Sequence, residues 1–198
     1  MTAGAWRAVG DKRLRRPAGD LEEAAGLGDD LLVGASLDGV DLGGSRRTPL
    51  SLVDTVLRRC DLSAAIWQSV TLRQVELLDC RARGLRLSVD LAQDVYLSGC
   101  RFDQATLRLE RVRGLVVFEG CVFSDAVVGG DLSSVVFADC GFDDAEFAAT
   151  RADGCDLRSS RLAGARGLLT LRGARITTDQ CMSIAPRLAT ESGLIVQE

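Results

Sequence analysis

The hydrophobic residues of this chain recur with a period of five. Every fifth residue from Leu27 to Val112 is usually leucine, and after a local slip the same class resumes at Leu132 and continues to Leu162. The residue two places before each of these is usually small, as in the strings CDLSA, CRFDQ, GDLSS and CGFDD. This period matches neither the ~3.6 of an amphipathic helix nor the ~2 of an ordinary strand. The pattern therefore predicts a different way of burying side chains.

A square coil satisfies the pattern if every five residues form one of its sides. The large central residue and the small one before it then point inward, the other three face solvent, and about twenty residues close one turn. The cysteines agree with this interpretation, because Cys60, Cys80, Cys100 and Cys140 are spaced by multiples of twenty. We expect them to stack on one face of the coil.

One cysteine, Cys121, falls one residue out of this spacing. In the same region the apolar centres shift to Phe118, Phe123 and Val128, so the whole repeat is displaced together. We predict a bulge that enters after Val112 and leaves before Leu132.

The tandem strings CDLSA, GDLSS and CDLRS resemble the pentapeptide-repeat family. This resemblance implies an all-β protein that folds as a right-handed quadrilateral parallel β-helix. We expect an N-terminal arm over residues 1–24, the solenoid over 25–176 and a C-terminal helical cap over 177–198. Arg47 and Pro49 interrupt the repeat, which predicts a loop on that side.

The C-terminal segment carries signals for a helix. Thr177 is a candidate N-cap with Gln180 three residues later, and Gly193 is a candidate stop. Pro186 is expected to kink or divide the helix. The apolar residues of the segment either cap the last coil or, as in the resembling family, mediate homodimerisation: Met182, Ile184, Leu188, Leu194 and Ile195.

Composition argues against catalysis. The chain has 46% hydrophobic residues and no histidine, so it folds but lacks the commonest general base. No secretory or membrane-spanning apolar run occurs, and we expect a soluble cytoplasmic protein that is not an enzyme and holds no metal or cofactor. The 7 cysteines are interpreted as reduced thiols, because we find no signal peptide. The stacked ones are interpreted as small core residues, because a line of stacked thiols cannot surround a metal ion tetrahedrally.

The net charge of -4 conceals an uneven distribution. The region 119–156 contains a single basic residue, Arg151, whereas the middle of the rod is rich in arginine. The resemblance extends to quinolone-resistance and gyrase-inhibiting family members, which are DNA mimics that act on type II topoisomerases. We therefore predict that the acids of this region bind a protein partner, with DNA gyrase as the most specific candidate: Glu119, Asp125, Asp131, Asp139, Asp143, Asp144, Glu146, Asp153 and Asp156.

Other interpretations of the surface remain open. The acids can simply keep the rod soluble, and a generic scaffold would bind some other protein through outward apolar residues: Ile66, Leu78, Leu91, Tyr96 and Leu109. The basic run Lys12, Arg13, Arg15 and Arg16 is either a solvated tail, loose or docked late, or a short attraction for nucleic acid. We expect no direct nucleic-acid binding and no membrane contact for the protein as a whole.

Overall fold

The computed structural model of the chain describes residues 6–17 and 19–195; the outer ends of the predicted arm and cap, including Val196, lie outside these ranges. The described part is a parallel β-solenoid with an N-terminal hairpin and a C-terminal helix. Its strands are β1 (Trp6–Val9), β2 (Lys12–Arg15), β3 (Glu22–Glu23), β4 (Leu31–Val33), β5 (Ala35–Asp38), β6 (Arg46–Arg47), β7 (Leu50–Arg58), β8 (Ile66–Leu78), β9 (Arg86–Ser98), β10 (Thr106–Leu109), β11 (Val112–Glu119), β12 (Val127–Asp131), β13 (Val135–Ala138) and β14 (Glu146–Arg151). A 3-10 turn (Leu168–Thr170) and helix α1 (Thr178–Glu191) follow.

The strands pair one coil apart, and the pairing is parallel from β3 onward. Leu52 of β7 lies opposite Leu72 of β8, and Leu72 in turn lies opposite Ala92 of β9, a separation of one coil at each step. About 6 turns stack in this way into a right-handed quadrilateral β-helix. The predicted fold class is therefore confirmed.

The four sides of the coil are called faces A to D, and each is defined by a column of inward central residues. Face A has Leu62, Ala82, Phe102, Phe123, Phe142 and Leu162; face B has Trp67, Leu87, Leu107, Val128 and Phe147; face C has Leu72, Ala92, Val112, Leu132 and Ala152; face D has Leu77, Leu97, Phe118, Phe137 and Leu157. All are buried except Val112, which is half-buried. Phenylalanines of face A stack with ring centroids 5.2 Å (Phe102–Phe123) and 4.9 Å (Phe123–Phe142) apart.

The cysteines form the predicted column, at the edge of face A. Successive bridges pair Asp61, Arg81, Arg101, Val122 and Gly141, and a cysteine precedes each of these residues, so the five thiols stack. Each Sγ donates to carbonyl oxygens, and Ser160 continues the column with its hydroxyl donating to the Phe137 carbonyl at 2.9 Å. The column fills the core, as expected for small apolar residues.

The predicted slip is present at both of its ends. Arg113 pairs with Gln93 but Val116 with Val95, so one extra residue enters between them, close to Gly114 with φ 71°. The register returns between Gly130 and Asp131 of β12. The bulge predicted between Val112 and Leu132 is therefore confirmed.

The loop predicted near Arg47 is wrong. Arg46 and Arg47 pair with Ile66 and Trp67, and Leu50 pairs with Val70, so no residue is inserted. The chain passes this corner through a cis Thr48–Pro49 bond. Arg47 is half-buried opposite the inward Trp67, and its Nε is buried without a hydrogen-bond partner among the described residues.

Helix α1 closes the C-terminal end. Thr177 and Gln180 form the predicted capping box, and the helix ends before Gly193, which has φ 82°. The helix continues through Pro186, so the predicted division does not occur; Pro186 is exposed, and water can bond the carbonyl that the proline leaves free. Ile184 is buried against the last coil and Leu188 packs beside it.

Candidate interaction surfaces

The N-terminal hairpin covers face D. β1 and β2 pair antiparallel, and the Leu14 side chain is fully buried among Tyr96, Leu115, Val117 and Val136. The apolar outward residues of face D thus form a second, smaller core beneath the hairpin. The arm is a docked part of the fold in its described residues, which rules out a loose tail there.

A buried carboxylate anchors this hairpin. Glu76 is fully buried, and its Oε1 accepts hydrogen bonds from Arg16 Nε at 2.8 Å and Arg7 Nη2 at 3.3 Å. Hydrogen bonding to Glu76 raises the pKa of Arg16. The Arg7 guanidinium lies 3.7 Å from the centroid of the Tyr96 ring, in cation–π contact. No local sequence signal predicts these contacts, because the paired residues are 60 or more positions apart in the chain.

Two of the apolar residues expected to be outward are buried. Tyr96 is 3% exposed beneath the hairpin, and Leu109 is 6% exposed at the inward end of β10. Ile66, Leu78 and Leu91 are half-buried. The prediction of an apolar scaffold surface is therefore wrong for Tyr96 and Leu109.

The predicted acidic residues do not share one surface. Glu119 and Asp156 lie on face D, Asp131 and Asp153 on face C, and Glu146 on face B. Face A carries Asp125, Asp143 and Asp144, and Asp139 lies at the corner between faces D and A. The acids therefore surround the rod.

Three of these acids are engaged within the chain. Asp131 is only 8% exposed and accepts hydrogen bonds from Ser133, with Arg151 Nη1 at 3.6 Å; its predicted outward position is wrong, because the register returns at this residue. Asp156 pairs with Arg158, whose hydrogen bond lowers the pKa of the carboxyl. Glu119 accepts a hydrogen bond from the Tyr96 hydroxyl.

The acidic strip consists of the exposed acids on face A, on its two edges and at the adjoining start of face B: Asp125, Asp139, Asp143, Asp144 and Glu146. The Asp125 amide donates to the Asp143 carbonyl at 3.0 Å, which places them in neighbouring coils. Neighbouring coils lie ~4.8 Å apart, so the strip is compact. None of the five acids forms an ion pair within residues 6–17 and 19–195.

Three acids of the strip also have a backbone role. Asp125, Asp139 and Asp144 occupy corners of the coil with φ of 53°, 54° and 54°. Aspartate tolerates this left-handed conformation better than most residues. Asp143 and Glu146 have no such backbone reason to be acidic, so they distinguish the strip from an ordinary set of corners.

A basic band precedes the acidic strip on face A. Arg81, Arg83 and Arg101 are exposed in two adjacent coils. Of the three, only Arg101 takes part in an ion pair within the described residues, with its Nε 3.2 Å from Asp103 Oδ2. Face A is therefore basic in the middle of the rod and acidic toward the C-terminal end.

The described residues contain no group of three or more His, Cys, Asp or Glu side chains arranged to hold a metal ion. None of the described helices has both the length and the apolarity needed to cross a membrane.

The coil geometry and the five-residue repeat define the chain as resembling pentapeptide-repeat proteins. No family model and no curated protein matches it. Among solved structures, trypsin-treated QnrB1, a plasmid-mediated fluoroquinolone resistance protein, is 18% identical with a TM-score of 0.40 over 84% of this chain and 83% of its own. Full-length QnrB1 gives 16% and 0.36 over 81% and 99%. HetL, a pentapeptide repeat protein involved in heterocyst differentiation regulation in a Nostoc cyanobacterium, gives 16% and 0.30 over 74% and 87%.

Proposed function

We propose that this chain is a non-enzymatic interaction protein that binds a macromolecular partner through the acidic strip. The observation that supports this is the group of exposed carboxylates of Asp125, Asp139, Asp143, Asp144 and Glu146 on the rigid coil, which form no ion pair within the described residues. Fixed like charges on such a surface create a field that attracts a basic partner. The partner is therefore a protein surface rich in lysine and arginine.

The most specific candidate is the DNA-binding groove of a type II topoisomerase such as DNA gyrase. B-DNA carries one negative charge per ~1.7 Å of its axis, and a groove that accepts it is lined with cations. An acidic rod can occupy that groove as a DNA mimic and so modulate quinolone susceptibility. The protein would then bind gyrase in competition with DNA and would not bind nucleic acid itself.

Gyrase supercoiling assays test this role. We expect purified protein to alter supercoiling, and a variant with D139N, D143N, D144N and E146Q to lose the effect. Asparagine keeps the left-handed corners at positions 139 and 144, so the variant changes charge rather than backbone. A control with E22Q, E23Q, D29N and D30N removes the same charge from exposed acids near the N-terminal end and is expected to retain activity. Absence of any effect by the unmodified protein would refute the gyrase role.

A generic protein-binding scaffold, unrelated to topoisomerases, is the second candidate. Arg81, Arg83 and Arg101 favour it, because they interrupt the acidic surface that a DNA mimic requires along its length. A photoreactive cross-linker attached to the cysteine of a D143C variant would identify the bound protein. A topoisomerase in the cross-linked product would contradict the scaffold role.

We propose that the exposed apolar residues at the C-terminal end mediate homodimerisation. Met182, Leu194 and Ile195 are 65%, 64% and 86% exposed, whereas Ile184 and Leu188 are used to close the core. The cap and the dimer contact are then different subsets of the same segment. A variant with L194S and I195S should lower the sedimentation coefficient of a dimer without changing thermal stability, and an unchanged dimer would exclude this contact.

A further inference from the structure

The outward residues of face A form columns whose order the structure fixes. The first column is Asp41, Asp61, Arg81, Arg101, Val122, Gly141 and Arg161, joined by consecutive parallel bridges. The second column lies two residues further along each coil: Gly43, Ser63, Arg83, Asp103, Ser124, Asp143 and Ala163. Along the rod, face A is thus acidic, then basic, then acidic, and finally basic again at Arg161.

When the order of these two columns is reversed in a second copy, positive residues of one copy can face negative residues of the other. Consider a two-fold axis that lies in the contact plane, perpendicular to the rod, between the coils of Phe102 and Phe123. This axis reverses the coil order of a second copy and keeps each column opposite itself. Arg83 then lies opposite Asp143 of the second copy, and Asp61 opposite its Arg161. Symmetry repeats each pair, as in any isologous contact.

The remaining positions of these two columns meet without conflict, whereas at the edge of face A Asp79 lies opposite Asp139 of the second copy. Arg101 lies opposite Val122 of the second copy, and Arg81 lies opposite Gly141, where the absent side chain leaves room for the guanidinium. The Arg161 guanidinium leans over Gly141 in the single chain, so it must swing back by about one coil to reach Asp61. No like charges oppose each other in either column.

Registers shifted by half a coil in either direction bring like charges together. An axis moved half a coil toward the N-terminus places Arg101 opposite itself, and one moved half a coil toward the C-terminus places Asp103 opposite Asp143. Like charges directly opposed across an interface are repulsive and suppress the wrong arrangement. The charges of these two columns therefore favour this register over its two neighbours.

Face A is also flat enough for close approach. Between its charged residues the outward positions are small: Gly43, Ser63, Ala64, Gly84, Ser124, Gly141, Ala163 and Gly164. Face D, by contrast, is covered by the hairpin. Two rods can lie face to face along face A over ~24 Å, the length of five coil spacings.

We propose that face A is a self-recognition surface through which two copies of this chain pair in antiparallel orientation. Pairing covers Asp143 and Asp144, so it excludes a basic partner from the acidic strip and controls access to it; only this consequence rests on the proposed function. Exposed ion pairs are individually weak and are screened by salt, so the pair is reversible and forms at low ionic strength.

Charge reversal tests the proposed register. Arg83 and Asp143 are both exposed, so R83E and D143R are expected to leave the fold intact, with unchanged circular dichroism and thermal melting. The measurements use the L194S and I195S background, which removes the proposed C-terminal contact. Sedimentation at low salt should then show dimers of this parent protein and a weakening of roughly tenfold or more for each single variant. An equimolar mixture of the two variants should form heterodimers, because every reversed charge then meets its opposite. The double variant should form homodimers for the same reason.

R86E is the matched control, since Arg86 is exposed in the same coil but on face B. It is expected to dimerise like the unmodified protein. In the L194S and I195S background, a monomer at low salt, or a dimer that survives both single reversals, overturns the proposal. The first result, combined with a dimer of the unmodified chain, assigns the contact to the C-terminal segment. These measurements use this chain alone, so their outcome is independent of any effect on gyrase.

Discussion

Arg16 and Glu76 form an ion pair that fastens the N-terminal hairpin to the solenoid, with Arg16 Nε 2.8 Å from Glu76 Oε1. The carboxylate is fully buried, and Arg7 and Tyr96 complete its surroundings. A buried charge requires such partners, because an unpaired carboxylate away from water is strongly unfavourable. The hairpin is thus a structural element, although it precedes the repeats in the sequence.

We predict that E76Q destabilises the protein by about 2 kcal/mol, because a hydrogen-bonded carboxylate is lost while Arg7 and Arg16 stay in place. The free energy of unfolding from urea denaturation measures this change. E110Q is the control: Glu110 pairs with Arg108 on an exposed surface, and its loss should cost less than about 0.5 kcal/mol. Equal effects of the two variants would contradict the anchoring role of Glu76.

Leu14 provides the apolar part of the same attachment. L14A should cost about 2–4 kcal/mol of local stability, since the side chain is fully buried among Tyr96, Val117 and Val136. The loosened hairpin should be cut faster by trypsin at its lysine and arginine residues. W6A is the comparison, because Trp6 lies in the same hairpin but is largely exposed. Unchanged trypsin sensitivity of L14A would show that Leu14 does not hold the hairpin.

The cysteine column should make the protein sensitive to alkali. The neighbouring Cys121 thiol, together with burial, raises the pKa of Cys100 from 9.0 to about 12. Between these values the unfolded chain loses its thiol proton while the folded chain retains it. The contribution of the protonated thiol to the free energy of unfolding is therefore complete below the pKa of the thiol in the unfolded chain. Above that pKa the free energy of unfolding falls, by up to ~1.4 kcal/mol per pH unit for each such thiol.

Urea denaturation between about pH 8 and pH 11 measures this fall in the unfolding free energy. C100A should make the dependence on pH shallower, whereas C181S should leave it unchanged, because Cys181 is exposed. A pH-independent free energy of unfolding across this range would contradict the assignment.

Gly130 lies where the spacing of twenty residues between coils is restored, and no side chain fits at this position. A Cβ at this position would lie 2.0 Å from the Leu109 carbonyl oxygen, and φ is +88°. G130A should therefore destabilise the protein by more than about 3 kcal/mol or prevent folding, as expected for a backbone clash added to an unfavourable conformation. G39A has a similar φ with open space around it and should cost about 1 kcal/mol. Similar thermal melting of the two variants would exclude the clash.

Some parts of the surface could be predicted from the sequence and others could not. The exposure of Asp143 and Glu146 follows from their outward positions in the repeat. The burial of Asp131 does not, because it depends on where the extra residue of the slip is lost again. The burial of Tyr96 depends on the hairpin, which lies outside the repeat.

The sequence by itself determined the coil. Its period of five places a large and a small residue inward in every side, and both the cysteine column and the slip follow from counting along the chain. The capping box of Thr177 and Gln180 is equally local. Such features depend on residues close in sequence or at a fixed multiple of the repeat, so the pattern alone specifies them.

Only the tertiary structure decided which surfaces remain free. The hairpin covers face D through Arg7, Leu14 and Arg16, and the coil geometry aligns Arg83 and Asp143 in one column of face A. These relationships arise from contacts between distant residues and from the direction in which each side chain projects. Neither has a local signal, because hydrophobic burial and ion pairing depend on spatial neighbours rather than on sequence neighbours.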